Sequence, residues 1–329
     1  MESIRIVGTG SYVPDQVLTN ADLETMIDTT DEWIVQRTGI KERRIAGANV
    51  NTSDLAEKAS VKALEAAGMS PEALDLIITA TITPDTCCPS ASNWLQAKLG
   101  AKNAVAFDIT AACTGFIFAL SVAEQYLKNG SYQNALIVGA ELLSRTVDWK
   151  DRTSCILWGD AAGAVVLKSA ASGAELLSTH VHCDGRAGNN LLLPGGGSST
   201  TPISEESVKE GLHYLRLIDA NRTFKVAVKR FAESCEEAAA HHGCAISDID
   251  LIIPHQANLR IILAFAERLK IPREKVFVNI DRYGNSSAAT VPLALDQAVR
   301  AGRIQPGHKV ILTAFGGGLT WGSAFICWH

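Results

Sequence analysis

Residues 74–80 read Leu74-Asp75-Leu76-Ile77-Ile78-Thr79-Ala80, and 175 positions further on Asp250-Leu251-Ile252-Ile253 repeats their centre. A short, nearly continuous apolar run of this kind predicts a strand buried on both faces. Two more pairs recur in the same order. Ile137-Val138-Gly139-Ala140 is echoed 174 positions on by Ile311-Leu312-Thr313-Ala314, and the helix end Leu127-Lys128-Asn129-Gly130 is echoed 172 on by Val299-Arg300-Ala301-Gly302. Chance likeness among Leu/Ile/Val strands is the competing explanation. Three elements in one order at nearly one offset favour a duplicated half. The fold class expected is α/β, with residues 1–172 and 173–329 forming two similar halves packed together.

The rest of the chain fits this frame. Ile4-Arg5-Ile6-Val7, Asn134 to Gly139, Ala161 to Leu167, Val105 to Ile109 and Lys309 to Ala314 read as strands. Gly115 to Lys128 reads as a helix apolar almost all round, hence a core helix. A stretch rich in glycine, serine and proline, including Gly185, Gly188, Pro194, Gly195-Gly196-Gly197 and Pro202, predicts a surface loop over 185–211 near the boundary. A phosphate-cradling role for the three glycines is disfavoured, since no P-loop lysine follows.

Composition narrows the function class. The 329 residues are 47% hydrophobic and 20% charged, which excludes a disordered chain. A net charge of −5 argues against a general nucleic-acid binder. The uncharged run Ile109 to Ala123 is 15 residues, short of the ~20 that a membrane span needs. No secretory-signal pattern stands at the start, and none of the eight cysteines forms a C-x-x-C pair. A cytoplasmic protein with reduced thiols is expected.

Cys113 follows the 105–109 strand and opens the apolar helix among Ala111, Ala112, Thr114 and Gly115. A helix N-terminus is expected to lower a thiol's pKa, and small neighbours let a substrate approach the sulfur. His255 lies just past a strand in Pro254-His255-Gln256-Ala257-Asn258, where α/β proteins place their sites. Asn285, in Tyr283-Gly284-Asn285-Ser286-Ser287, is expected at a strand-to-helix turn, 172 positions from Cys113. The two halves then present Cys113 and Asn285 from equivalent turns. Gly316-Gly317-Gly318 follows another strand and suits close approach of backbone to a reacting carbonyl. The order Cys, His, Asn, with His255 142 residues after Cys113, also suits a thiol peptidase. The Ala112-Cys113-Thr114-Gly115 context lacks the peptidase signature. His180, His182, Cys183 and Asp184 do not complete a tetrahedral ligand set, so no metal is expected.

With those motifs in hand, the chain resembles the β-ketoacyl-[acyl-carrier-protein] synthase III family over nearly its whole length. The likeness rests on Gly8 to Pro14, Asp31 to Ile40, Ala111 to Phe116, Pro254 to Arg260, Tyr283 to Ala289 and Ala314 to Gly322. It implies a thiolase-like fold with a layered α-β-α-β-α core. It implies an acyltransferase, a cytoplasmic homodimer initiating fatty acid synthesis, that joins an acyl-CoA primer, commonly acetyl-CoA, to malonyl-acyl-carrier protein with loss of CO2. No cofactor is implied, because decarboxylation drives the carbon–carbon bond. A relative using a longer or branched primer, or making a non-fatty-acid product, is the alternative. Neither nucleic acid nor membrane insertion is expected.

The resemblance assigns roles by position. Cys113 is the nucleophile, and His255 and Asn285 bind the enolate. Backbone N–H groups of Cys113 and Gly317 form the oxyanion hole. Trp33, Arg37, Thr38, Arg152, Asn221 and Asn258 match CoA-binding positions. Lys225 and Arg260 match carrier-protein docking positions; Arg222 and Lys229 share one helical face with Lys225, and Arg268 lies with Arg260 on the helix after His255. Cys88, Leu157, Trp158, Phe224 and Phe315 match the acyl pocket, Cys88 being contributed across the dimer. Cys88 stands where Phe is common and widens the pocket, whereas Trp158 stands where Phe is common and narrows it.

Overall fold

The computed structural model describes residues 3–198 and 203–329. The first half runs β1 (Ile4–Tyr12), β2 (Val17–Thr19), α1 (Asn20–Met26), α2 (Asp31–Thr38), β3 (Glu42–Arg44), α3 (Thr52–Ala67), β4 (Leu76–Ala80), α4 (Ala91–Leu99), β5 (Val105–Ile109), α5 (Gly115–Lys128), β6 (Asn134–Leu142) and β7 (Asp160–Ser169). The second runs β8 (Ala174–Cys183), β9 (Leu191–Leu192), α6 (Glu205–Lys209), β10 (Arg216–Leu217), α7 (Ala220–His241), β11 (Leu251–Pro254), α8 (Leu259–Arg268), α9 (Ile280–Tyr283), α10 (Thr290–Arg300), β12 (Lys309–Gly316) and β13 (Thr320–Cys327).

Nine strands are linked in the order β11-β12-β13-β8-β1-β7-β6-β4-β5. Outward from the middle, β1-β7-β6-β4-β5 and β8-β13-β12-β11 repeat one pattern. The second strand is antiparallel to both neighbours and the fourth is parallel to the third. β5 has its counterpart in a single parallel bridge, Ile252 to Val276. Within the sheet, among the described residues, the halves meet at β1 and β8, where Arg5 pairs with Glu175 and Ile6 with Ala174.

Alternation along each strand builds the layers. Leu76 and Ile78 face the central core with α5 and α10, whereas Ile77 faces α3 and α4. Leu251 and Ile253 join the same central core, and Ile252 turns to α7 and α8. Both strands are therefore apolar at every position. α5, carrying Phe116, Ile117, Leu120 and Ala123, lies between the two sheet portions, which explains its all-round apolar surface. Each fully buried Leu or Ile contributes about 1.5–3 kcal/mol. The expected α-β-α-β-α layering is thus present, and the α5 and β5 limits match the expected ones.

Two expectations need correction. Asn285 follows the short helix α9 rather than a strand, because the β5 counterpart is reduced to Val276. The 185–211 segment is more than a surface loop. It contains a 3-10 turn, Gly185–Asn190, then β9, which pairs with β10, and then α6, capped by Ser204. Residues 199–202, with Pro202, lie outside the described residues. All eight cysteines are free, and no described helix is long and apolar enough to cross a membrane.

Candidate active site

Cys113 sits in the 3-10 turn Ala112–Thr114 that leads into α5. The turn is fixed from below: Thr320 Oγ1 donates to the Ala111 carbonyl at 3.1 Å, and Thr114 Oγ1 donates to the Thr320 carbonyl at 3.2 Å. The end of β12 presses on it so closely that a Cβ on Gly316 would fall 2.7 Å from the Cys113 backbone nitrogen. Neither Cys113 N–H nor Gly317 N–H donates to another residue among the described residues. Both residues line the same cavity.

That cavity, about 280 Å³, also collects His255, Asn285, Leu157, Trp158 and Phe315. β11 delivers His255, whose backbone N–H donates to Thr313 at 2.7 Å. Its side chain is 1% exposed. Nδ1 lies 2.6 Å from Thr290 Oγ1, which leaves Nε2 for the cavity. Asn285 is laddered to the Leu157–Gly159 segment: its N–H donates to Leu157 at 2.8 Å and its carbonyl accepts from Gly159 at 3.0 Å. Its Oδ1 accepts from Ser287 N–H at 2.8 Å, which leaves the amide NH2 free to donate.

The electrostatics overturn one expectation. Cys113 is only 4% exposed, and burial pushes its thiol up to about 12, against the opposing effects of the nearby Ser287 hydroxyl and of its own backbone N–H. Burial thus favours the thiol form of Cys113 at rest over the thiolate. Burial also pushes His255 down to about 3, so the imidazole is neutral at pH 7.

At the mouth, Asn221, Phe224, Asn258 and Arg260 line the cavity. Asn258 caps α8 by accepting from Arg260 N–H at 2.8 Å, and its NH2 donates to the Arg37 carbonyl at 2.9 Å. The Arg260 guanidinium reaches toward the Phe224 ring, at 5.8 Å. Gly39 ends α2 in the left-handed region at φ 76°, and a Cβ there would collide with Leu259. α2 and α8 therefore meet at backbone distance. Outside the cavity, Trp33 lies between Arg37 at 4.0 Å and Arg152 at 4.7 Å. Thr38 does not fit its expected ligand contact. It is 2% exposed, and its hydroxyl donates to Ile34 and accepts from Ile40 N–H. Cys88 is exposed and outside the cavity lined by its own chain. Arg222, Lys225 and Lys229 on α7 and Arg268 on α8 are exposed.

Leu191 of β9, Leu217 of β10 and Thr290 were missed by the sequence reading. The first two lie in the stretch read as a loop or just beyond it and line the cavity. Thr290 was within reach, since it stands 175 positions after Gly115 at the matching helix start. His180 and His182 lie on β8 and share Glu237, with His182 Nε2 at 2.7 Å. Among the described residues no group of three or more His, Cys, Asp or Glu is arranged to hold a metal.

Comparison with known proteins decides the family. Models of 3-oxoacyl-[acyl-carrier-protein] synthase III match residues 107–185, and of its C-terminal part residues 239–328. The β-ketoacyl-[acyl-carrier-protein] synthase III of Caldanaerobacter subterraneus subsp. tengcongensis is 50% identical, covering 98% of this chain and 97% of that relative. The chain belongs to the 3-oxoacyl-[acyl-carrier-protein] synthase III family. A synthase III of Xanthomonas campestris pv. campestris is 52% identical over 98% of this chain and 97% of its own length. The crystal structure of the Aquifex aeolicus synthase III superposes with a TM-score of 0.91 at 46% identity, covering 99% of this chain and 100% of that one. As a synthase III, the chain is a condensing acyltransferase that initiates fatty acid synthesis. A condensing enzyme with another primer or product is not favoured.

Proposed function

We propose that Cys113 takes the acyl group of an acyl-CoA, commonly acetyl-CoA, and that His255 and Asn285 then bind the thioester carbonyl of malonyl-acyl-carrier protein while it loses CO2. The observation that carries this reading is the convergence of Cys113, a neutral His255 and Asn285 in one cavity. Neutral donors suit an enolate: they stabilise developing charge without having to be charged themselves in a dry site. The enolate attacks the acyl carbonyl, and the free N–H groups of Cys113 and Gly317 hold the oxyanion. Loss of CO2 drives the bond, so the chemistry calls for neither metal nor cofactor.

Trp33 and Arg152 take the adenine of CoA between them, by stacking and cation–π contact, with the Arg152 guanidinium swinging off the Trp33 ring to admit it. Arg37 holds the nucleotide end, and Asn221 and Asn258 flank the pantetheine arm. Arg222, Lys225, Arg260 and Arg268 give the acidic carrier protein a basic landing face beside the mouth. β5 is the free edge of the sheet, with Val105 and nearby Trp94 exposed, which supports a homodimer formed there. In that dimer the partner brings its Cys88 to the acyl pocket. The two halves divide at 172/173, between β7 and β8, and the enzyme works in the cytoplasm.

The test is intact mass spectrometry. Incubation with acetyl-CoA should add one acetyl group at Cys113, and malonyl-carrier protein should then remove it as 3-oxoacyl product. Labelling elsewhere, or an acyl group that malonyl-carrier protein does not discharge, would sink the reading.

A further inference from the structure

Glu141 lies fully buried near the end of β6 and has no part in the scheme above. Its carboxylate accepts from Thr83 Oγ1 at 2.6 Å, from Thr81 Oγ1 at 3.2 Å and from Ile82 N–H at 3.1 Å. No lysine or arginine pairs with it among the described residues. A buried carboxylate without a cation is costly to keep. The 3-10 turn Ser287–Ala289 packs against β6, where a Cβ on Gly139 would fall 2.3 Å from the Ala288 carbonyl. Ser287 is 1% exposed and holds φ 48°, and its buried hydroxyl has no hydrogen-bond partner among the described residues. The turn that carries it packs against β6 on one side and against the Cys113 turn on the other, so that hydroxyl lies near both the Glu141 carboxyl and the Cys113 thiol; it is bonded to neither at rest and favours the ionised form of each.

We propose that Ser287 and Glu141 form a proton relay for Cys113, which takes up the thiol proton on acylation and returns it on condensation. The proposal rests on Cys113 being the acyl acceptor. In acylation the thiol S–H bond breaks as sulfur attacks the acyl-CoA carbonyl. The proton passes to Ser287 Oγ while the Ser287 hydroxyl proton passes to the Glu141 carboxylate. The thioester C–S bond to CoA breaks, and CoA leaves as a thiolate that solvent protonates. Glu141 is then a carboxylic acid beside an acyl-enzyme. In condensation the tetrahedral oxyanion collapses and expels the Cys113 thiolate, which takes the proton back along the same path. Protons balance over the cycle and nothing is oxidised or reduced.

The surroundings suit this task. Burial lifts Glu141 to about 7, so it exchanges a proton near neutrality. His255 spends Nδ1 on Thr290, and burial opposes its becoming an imidazolium. The other titratable group facing Glu141 is Cys113 itself. Asp160 on β7 pairs with Leu142, hence points to the opposite sheet face, and is held by Ala46 N–H and Ser144. Thr81 and Thr83 carry no charge.

The experiment measures the rate of Cys113 acylation by acetyl-CoA, by quenched-flow intact mass spectrometry from acid to alkaline pH. Wild type, Glu141→Gln, Ser287→Ala and Ser287→Thr are compared. Wild type should rise through the titration of Glu141 and level off. Glu141→Gln and Ser287→Ala should acylate about 100-fold more slowly at neutral pH, with the rise displaced toward the thiol's own titration. Ser287→Thr, which keeps the hydroxyl, should keep the wild-type profile. Ser287→Ala guards against misfolding of Glu141→Gln, because alanine already occupies the same backbone conformation at Ala112. A wild-type profile in Glu141→Gln or Ser287→Ala overturns the relay while leaving Cys113 as acyl acceptor. Failure of the wild type to acylate at Cys113 removes both.

Discussion

Ala112 and Ser287 hold the same left-handed backbone, φ 46° and 48°, 175 residues apart in the two halves. Each opens a 3-10 turn that runs into a helix of the central layer, α5 or α10. Register from this pair sets Cys113 against Ala288 and Gly115 against Thr290. Asn285 therefore reaches the cavity from three residues ahead of the position equivalent to Cys113. The halves have diverged in what the shared turn carries. At Gly115 a Cβ would meet Ala80 at 3.0 Å, so that turn stays bare behind the thiol. At Thr290 the side chain is present and holds His255.

Thr290→Val tests that hold. The Thr290 hydroxyl has one proton and two acceptors in reach, His255 Nδ1 at 2.6 Å and the Ser287 carbonyl at 3.0 Å. Donation to Nδ1 places the remaining ring proton on Nε2, as an enolate requires. Valine keeps the shape and loses the proton. Decarboxylation of malonyl-carrier protein should fall about tenfold or more, Cys113 acylation should hardly change, and Thr290→Ser should restore the rate. Equal loss in both half-reactions would remove the positioning role.

His255 also predicts how stability responds to acid. Burial holds its folded-state pKa near 3, against an ordinary value of 6.5. A depressed pKa means that the unfolded chain binds the proton first. The stability is therefore present above 6.5 and is lost as pH falls toward the folded value. Urea unfolding of wild type and His255→Gln, at neutral pH and at about pH 4, should show wild type losing about 3 kcal/mol more than the variant. Parallel losses would contradict a buried neutral imidazole.

Strand positions and the middle helix were legible because burial on both faces leaves a continuous apolar run, as in Leu76–Ala80 and Gly115–Lys128. The convergence of Cys113 and Asn285 was legible in part through the repeat, three residues out of register, and His255 through its place at a strand end. The direction of the Cys113 pKa was not. A helix N-terminus is written in local sequence, but the burial that outweighs it comes from packing such as that of Gly316, far along the chain. Arg43, the largest fully buried side chain, was equally hidden. It is held by Asn20, Leu18 and Ile156, no two of them adjacent in sequence. Thr38 shows the reverse error, a position matched to a ligand whose hydroxyl is spent inside its own helix end.

Charge reversal on the outer faces of α7 and α8 separates docking from chemistry. Lys225→Glu should raise the KM for malonyl-carrier protein severalfold, steeply at low salt, and leave acylation by acetyl-CoA unchanged. Arg260→Glu should do the same with an added cost, since its guanidinium also lies toward the Phe224 ring. Steady-state kinetics at two ionic strengths, with free acetyl-CoA and carrier-bound malonate varied in turn, give both numbers. Unchanged KM in Lys225→Glu would remove the landing face.

Trp158 sets the remaining question, the length of the primer. It is 4% exposed and lines the cavity with Leu157 and Phe315. Its backbone bridges to Asn285, and the flanking Leu157 and Gly159 carry the hydrogen bonds that hold Asn285. A change of side chain at 158 therefore alters cavity volume while the ladder that fixes Asn285 stays in place. Trp158→Phe removes part of a ring, and a methylene accommodated in an apolar pocket is worth about 1 kcal/mol or more. The variant should take up butyryl-CoA and branched acyl-CoA about tenfold better relative to acetyl-CoA than wild type does. Its decarboxylation of malonyl-carrier protein should be unaltered. A panel of acyl-CoA primers read as kcat/KM ratios decides it. An unchanged ratio would mean that Trp158 does not face the primer, and would leave the limit to Cys88 in the proposed dimer.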